Sequence, residues 1–182
     1  MAKRLPKILT HDEFETLFTA ADKSKNIPKN KLRQYRLAML LAAEGGLRIS
    51  EIVGYKRKDG TIIPPLTKDK IEVASMRLEG AKGKKDRIVP RPKRMNEAAV
   101  NMLPLKIQRR ALQSFVTTLG KKILDKKISF HTLRHCFASH LVNMGRPLHE
   151  VQMLMGHADI STTGIYLHAD PRKAIEGARG VF

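Results

Sequence analysis

The sequence is poor in cysteine and in aromatic residues, and this excludes several classes of protein. Cys136 is the only cysteine, so no disulfide can form within the chain and a reducing, cytoplasmic compartment is expected. Tryptophan is absent and aromatic residues make up 5% of the chain, which leaves no aromatic series on which single-stranded bases could stack. No apolar run reaches the roughly 18 residues of a membrane span, and no secretory signal is found. We therefore expect a soluble globular protein without a membrane partner.

Acidic residues are also scarce, and the resulting charge predicts a polyanionic partner. The 182 residues include 35 Lys and Arg against 17 Asp and Glu, which gives a formal net charge of +18 and a pI near 10.3. A field of this size raises the local concentration of nucleic acid, and binding should weaken steeply with salt. Charge alone does not separate DNA from RNA, or catalysis from packaging. Because the aromatic residues are so few, double-stranded DNA held through its phosphates is the expected partner.

The hydrophobic pattern predicts a mainly α fold with a small antiparallel β-sheet, an α+β class. With 42% hydrophobic residues, the chain can bury the core of one domain. Helical spacing and capping signals predict helices from the Thr10 cap to about Ala21, over Leu32–Glu44, Leu105–Leu124 and His131–Met144, from Pro147 to Gly156, and in short segments around Tyr166 and after Pro171. Short strands are predicted at Thr61–Ile63, Lys70–Arg77 and Arg87–Val89. The turn at 80–83 should present Lys82.

Two segments near the C-terminus, HTLRH and LMGHADISTTGIY, contain a combination of residues suited to attack on a phosphodiester. Tyr166 is a weak nucleophile at neutral pH because a free phenol has a pKa of about 10, so it needs a base and a charge-stabilising environment. His131 can accept the phenolic proton. Arg134 and His157 can donate hydrogen bonds to the oxygens on which negative charge develops. Taken alone, Tyr166 would more simply be a buried phenol on an amphipathic helix.

A metal site is the competing interpretation of the same region. His131 and His135 lie four residues apart and would share a helix face, as metal ligands do. Thr132, however, occupies the position where a zinc-protease helix carries its glutamate. Cys136 is the only nearby soft ligand and has no second cysteine to complete a site. We therefore expect neither a metal nor another cofactor.

Two upstream segments, EGGLRISE and EGAKGKKDRIVP, complete a pattern of four separated motifs in a fixed order. Together the motifs resemble the catalytic domain of the tyrosine recombinases, the family of phage integrases and Xer-type chromosome-dimer resolvases. The resemblance runs through nearly the whole chain. It implies that residues 1–182 form a single catalytic domain with the fold of that family. Members usually carry an N-terminal core-binding domain as well, and the sequence is expected to lack it.

The resemblance assigns a role to individual residues. The catalytic positions of the family fall on Arg48, Lys82, His131, Arg134, His157 and Tyr166. Glu51 matches an acidic residue that braces the active site. Since this chain reads AKGKK, Lys84 and Lys85 are close competitors of Lys82 for the role of general acid. Lys84, Lys85 and Arg87 are also expected to contact DNA phosphates from an exposed hairpin.

The implied activity is site-specific recombination of the integrase type, through a 3′-phosphotyrosyl intermediate. Full recombination would need four protomers on two duplexes, so a homotetramer on DNA is expected. A type IB topoisomerase-like relaxase would use the same residues but would act as a monomer and reseal the same strand. A non-catalytic DNA-binding module would explain the charge but would not require every catalytic position to be filled. A histone-like packaging protein leaves the order of the motifs unexplained.

Overall fold

A computed structural model describes residues 9–24, 27–80 and 86–156. In these ranges the helices are α1 (His11–Asp22), α2 (Lys29–Ala43), α3 (Ile49–Val53), α4 (Glu97–Val100), α5 (Arg109–Leu124), α6 (Phe130–Asn143) and α7 (Leu148–Met155), and the strands are β1 (Tyr55–Lys56), β2 (Ile62–Ile63), β3 (Ser75–Leu78) and β4 (Arg87–Pro90). One turn of 3₁₀-helix covers Lys68–Lys70. The described part is mainly helical with little β structure, as predicted.

Local signals in the sequence account for the first two helices. The Thr10 hydroxyl accepts a hydrogen bond from the Glu13 backbone N–H, and the Glu13 carboxylate accepts one from the Thr10 N–H, both at 3.1 Å. This is the capping box expected from the sequence, and it starts α1. Helix α2 ends at Ala43, before Gly45 and Gly46, also as predicted. Residues 37–43 of α2 are all buried, and α2 packs against α1 and α6 at the centre of the core.

The strands differ from the prediction of one small sheet. Strands β1 and β2 form one antiparallel pair, with Tyr55 opposite Ile63, and β3 and β4 form another, with Leu78 opposite Arg87. β1 was not predicted. A strand of two residues is too short to show an alternating pattern in the sequence, and it forms only by pairing with β2. The predicted strand over Lys70–Arg77 was wrong in extent. The chain turns tightly after Ile71, where the Glu72 N–H donates to the Ser75 carbonyl at 2.9 Å, and only then begins β3.

The later helices also shift at their starts. Helix α5 begins at Arg109 rather than Leu105, because the preceding segment is held by another element: the Lys106 N–H donates to the Gln34 side chain on α2 at 3.0 Å. The short helix α4 was not predicted; it is capped by Asn96, whose side chain accepts from the Ala99 N–H at 3.0 Å. Helix α6 begins one residue before the prediction.

Gly46 brings two functional segments together. It has a φ of +68°, and a Cβ built on it would lie 2.5 Å from Cδ1 of Phe137 on α6. Only glycine satisfies both the left-handed backbone and this close approach. The segment that carries Arg48 therefore lies directly against α6, which carries His131 and Arg134.

Candidate active site

Arg48 lies at the start of α3. It is the N-cap residue of that helix, and its backbone N–H donates to the Glu51 carboxylate at 2.7 Å. Its guanidinium Nη1 donates to the same carboxylate at 2.9 Å. Nη2 reaches the last turn of α7, at 3.3 Å from the Met155 carbonyl and 3.1 Å from the Gly156 carbonyl. The Arg48 side chain is 32% exposed, so a charged donor faces solvent at this point.

Glu51 is the carboxylate on which the arginines of this region converge. Beside the two contacts from Arg48, it accepts a bidentate pair from Arg87, with both N···O distances at 2.8 Å. Arg134 Nη1 lies 3.9 Å from its Oε2. We call Arg48, Glu51, Arg87 and Arg134 the arginine–glutamate cluster. Three guanidinium groups share one carboxylate, so the cluster is positively charged and suited to an anionic ligand.

Opposing effects set the pKa of Glu51. Burial raises it, but hydrogen bonds and charge from Arg87, the charge of Arg48 and the Arg48 backbone N–H outweigh burial and lower the pKa to about 2. The carboxylate is therefore ionised throughout the neutral pH range. An ionised carboxylate can hold several arginines at once, and Glu51 accepts hydrogen bonds from both Arg48 and Arg87; the bracing role expected for it stays a prediction.

Arg134 lies in the interior, on the second turn of α6. Its side chain is only 2% exposed. Nη1 donates to the Gly46 carbonyl at 2.6 Å and Nη2 to the Met155 carbonyl. Arg134 therefore ties α6 both to the segment before Arg48 and to the end of α7. It also shares the Met155 carbonyl with Arg48, so the two arginines of the predicted pair lie next to each other in space.

The C-terminal end of α7 is the second meeting point of the cluster. The Leu154 carbonyl accepts a hydrogen bond from Arg87. The Met155 carbonyl accepts from both Arg134 and Arg48, and the Gly156 carbonyl accepts from Arg48. The last carbonyls of a helix have no partners within it and carry the negative end of the helix dipole, so guanidinium groups are favoured here. His157 follows Gly156 in the sequence.

His131 lies in the first turn of α6, near these arginines. Desolvation lowers the pKa of its imidazole, and the positive charges of Arg134 and Arg48 lower it further. The ring is therefore neutral at pH 7 and able to accept a proton. His135 lies next to it, with ring centroids 4.1 Å apart in an edge-on arrangement.

Five predicted residues lie outside the described ranges: Lys82, Lys84, Lys85, His157 and Tyr166. Their roles stay predictions. Arg87 is described and differs from the expectation of an exposed hairpin residue, since its side chain is only 12% exposed. The sequence did contain the signal, because side chains two residues apart share a strand face. Arg87 lies on the same face as buried Val89, whereas Ile88 points to solvent. Sequence reasoning missed this because Glu51, the partner of Arg87, is 36 residues away.

The described ranges contain neither a cluster of potential metal ligands nor a candidate membrane-spanning helix. No group of three or more His, Cys, Asp or Glu side chains there could hold a metal ion. Cys136 is buried, which raises the pKa of its thiol to about 11 and keeps it protonated. None of the helices in this part of the chain is long and apolar enough to cross a bilayer.

Gly156 offers a test of how tightly the cluster is packed. Its φ is +57°, and a Cβ there would lie 2.9 Å from Cδ of Arg87, whose guanidinium is fixed by Glu51. Gly145 has a similar φ of +75° but open space around it. Gly156→Ala should lower the free energy of unfolding by about 2–4 kcal/mol, and Gly145→Ala by about 1 kcal/mol, because only the first adds overpacking to backbone strain. Urea denaturation of both variants measures the difference; equal losses would contradict the packing described.

Comparison with solved structures defines the class of fold. The chain is similar to the XerA recombinase, with a TM-score of 0.70 and 23% identity over 99% of this chain and 65% of that one. It is also similar to the catalytic domain of bacteriophage HP1 integrase, with a TM-score of 0.63 and 22% identity over 94% of this chain and 93% of that one. The fold is therefore that of tyrosine-recombinase catalytic domains, which confirms the predicted fold class.

The sequence itself identifies the family. Residues 7–173 match the model of the phage integrase family, and the chain belongs to that family of tyrosine recombinases. It is 34% identical to a tyrosine recombinase of Thermosipho africanus, over 94% of this chain and 60% of that protein. It is 36% identical to the tyrosine recombinase XerD of Listeria innocua, over 92% of this chain and 59% of that protein. The chain thus spans about three-fifths of the length of these curated relatives.

Proposed function

We propose that this chain is the catalytic part of a site-specific DNA recombinase, which cleaves and rejoins duplex DNA through a 3′-phosphotyrosyl bond. One observation carries the proposal. Arg48 and Arg134, which are 86 positions apart in the sequence, meet at the carbonyl of Met155, the last residue of α7, and His131 lies in the first turn of the helix that carries Arg134. Arg48 is 32% exposed and its planar guanidinium is suited to holding a phosphate, and Arg134, at 2% exposure, adds its positive charge beside it. A relative of similar fold, the XerH recombinase, is described as bound to its difH substrate.

The proposed reaction begins with attack by the phenolic oxygen of Tyr166 on the scissile phosphorus. A phosphorus–oxygen bond forms to Tyr166 as the bond to the 5′-oxygen breaks. His131 accepts the phenolic proton, and Lys82, with Lys84 as the alternative, donates a proton to the leaving 5′-oxygen. Arg48, Arg134 and His157 stabilise the charge on the non-bridging oxygens in the transition state.

Rejoining is the reverse of this reaction. The 5′-hydroxyl of a partner strand attacks the phosphotyrosyl bond, so the free energy of the original phosphodiester is conserved in the intermediate and no ATP is consumed. In the proposed assembly four protomers act on two duplexes. The same chemistry within one protomer and one duplex would relax supercoils instead.

The test uses a duplex with a nick near the cleavage site, so that a short fragment diffuses away and the covalent adduct accumulates. We expect the protein to form an adduct that survives a denaturing gel in the presence of EDTA. Formation of the adduct only after Mg²⁺ is added would contradict the mechanism. Binding of the duplex without any adduct would favour a non-catalytic DNA-binding module. Relaxation of supercoiled DNA without strand exchange would favour the topoisomerase-like alternative.

A further inference from the structure

Arg87 makes contacts that a hairpin arginine held out toward DNA would not make. It is the first residue of β4. In the sequence, the segment that carries Lys82 lies between the paired strands β3 and β4. Its side chain turns inward, and its fork binds both oxygens of Glu51 at 2.8 Å. Its Nε donates to the Leu154 carbonyl at 3.1 Å. All three guanidinium nitrogens of Arg87 thus donate hydrogen bonds to protein groups.

These contacts join three parts of the predicted active site. Arg87 links the start of β4, which follows Lys82 in the sequence, to Glu51, which holds Arg48, and to the end of α7, which precedes His157 in the sequence. The junction is tight, since a Cβ on Gly156 would lie 2.9 Å from Cδ of Arg87. A planar fork fixes both the distance and the angle between the groups it binds, which a flexible ammonium does not.

Arg87 also shares with Arg48 the carboxylate that holds it in place. Glu51 divides its carboxylate between Arg87 and Arg48, and its Oε1 accepts from both. Arg87 therefore helps to fix the carboxylate that orients Arg48. Arg48 is the more exposed of the two side chains, at 32% against 12%.

We propose that Arg87 is a positioning residue of the active site, which sets the geometry of Arg48, of the start of β4 and of the α7 terminus without contacting DNA. The proposal rests on the proposed recombinase function and deepens it. It replaces the expectation that Arg87 is one of the phosphate contacts on an exposed hairpin.

The test compares Arg87→Met, Arg87→Lys and a control, Arg77→Met. Arg77 lies on β3 of the same hairpin and pairs with Glu72 at the surface, so the control removes an arginine–carboxylate pair outside the cluster. Three quantities are measured on the full chain: the single-turnover rate constant of adduct formation at saturating nicked duplex, the duplex affinity as a function of salt, and the melting temperature. Rates are taken well below melting and expressed per folded molecule.

We expect Arg87→Met to lower the rate constant about tenfold or more, because the reacting groups are misplaced. The duplex affinity and its salt slope should stay those of the wild type. Arg87→Lys should recover only part of the rate, since it restores the charge without the fork, and Arg77→Met should match the wild type.

Two results would overturn the assignment. A salt slope reduced by about one, with an unchanged rate at saturation, would show that Arg87 contacts a phosphate directly. A lower melting temperature with an unchanged rate per folded molecule would show a merely structural role. Both results differ from a failure of the proposed function itself. In that case the wild-type protein would form no adduct, and the assignment of Arg87 would fail as well.

Discussion

Tyr166→Phe should abolish the covalent adduct on nicked DNA, with a loss of at least about a thousandfold, because the phenolic oxygen is the attacking atom and nothing replaces it. Duplex binding should stay within about twofold of the wild type, since a neutral phenol releases no counterions from DNA. Denaturing gels measure the first quantity and a salt titration of duplex binding the second.

The chain offers a matched control for this substitution. It contains three tyrosines. Tyr35 is buried in α2 at 4% exposure, against Phe115, so its hydroxyl cannot reach a duplex. Tyr55 on β1 is 39% exposed, and its ring lies 4.6 Å from the Arg109 guanidinium. Tyr55→Phe removes an accessible phenol outside the cluster and should form the adduct normally. An adduct that persists in Tyr166→Phe but is lost in Tyr55→Phe would move the nucleophile to Tyr55.

Arg134→Lys should be the most damaging conservative change in the arginine–glutamate cluster. Lysine presents one compact charge and cannot donate to the Gly46 and Met155 carbonyls as the buried guanidinium does. Leaving buried carbonyls without donors costs about 1–3 kcal/mol. Loss of a preorganised donor to the transition state typically lowers rates about 10²–10³-fold. We therefore expect reduced stability together with a drop of this size in the rate constant of adduct formation.

Arg91→Lys separates these two effects. Arg91 also donates to backbone carbonyls, those of Met95 and Glu72, but lies outside the arginine–glutamate cluster. Its replacement by lysine should lower stability and leave the rate per folded molecule within about twofold of the wild type, because no donor to the phosphate is lost. Urea denaturation and single-turnover adduct assays on both variants make the comparison. Equal rate losses in the two variants would remove Arg134 from the chemistry and leave it a role in folding only.

Features that depend on neighbours in the sequence were predicted well. The Thr10–Glu13 capping box and the end of α2 before Gly45 each involve residues within a few positions of one another. Such signals act through local backbone geometry, so they can be read without the fold. The predicted family and the mainly helical fold were likewise confirmed.

Features that depend on distant partners were predicted poorly. β1 exists because Tyr55 pairs with Ile63, and α5 begins late because Gln34 binds the segment before it. Arg87 was assigned to an exposed hairpin because a run of basic residues surrounds it, whereas Glu51 and the end of α7 draw its side chain inward.

The sequence by itself determined the family, the helical character and which residue types are present for attack on a phosphodiester, because these follow from composition, short-range spacing and motif order. Only the tertiary structure decided that Arg48, Arg87 and Arg134 share Glu51 and the last carbonyls of α7. The physical reason is that a buried guanidinium must satisfy its charge and its several N–H donors, and the groups that do so lie on α3, at the end of α7 and at Gly46, far apart in the sequence.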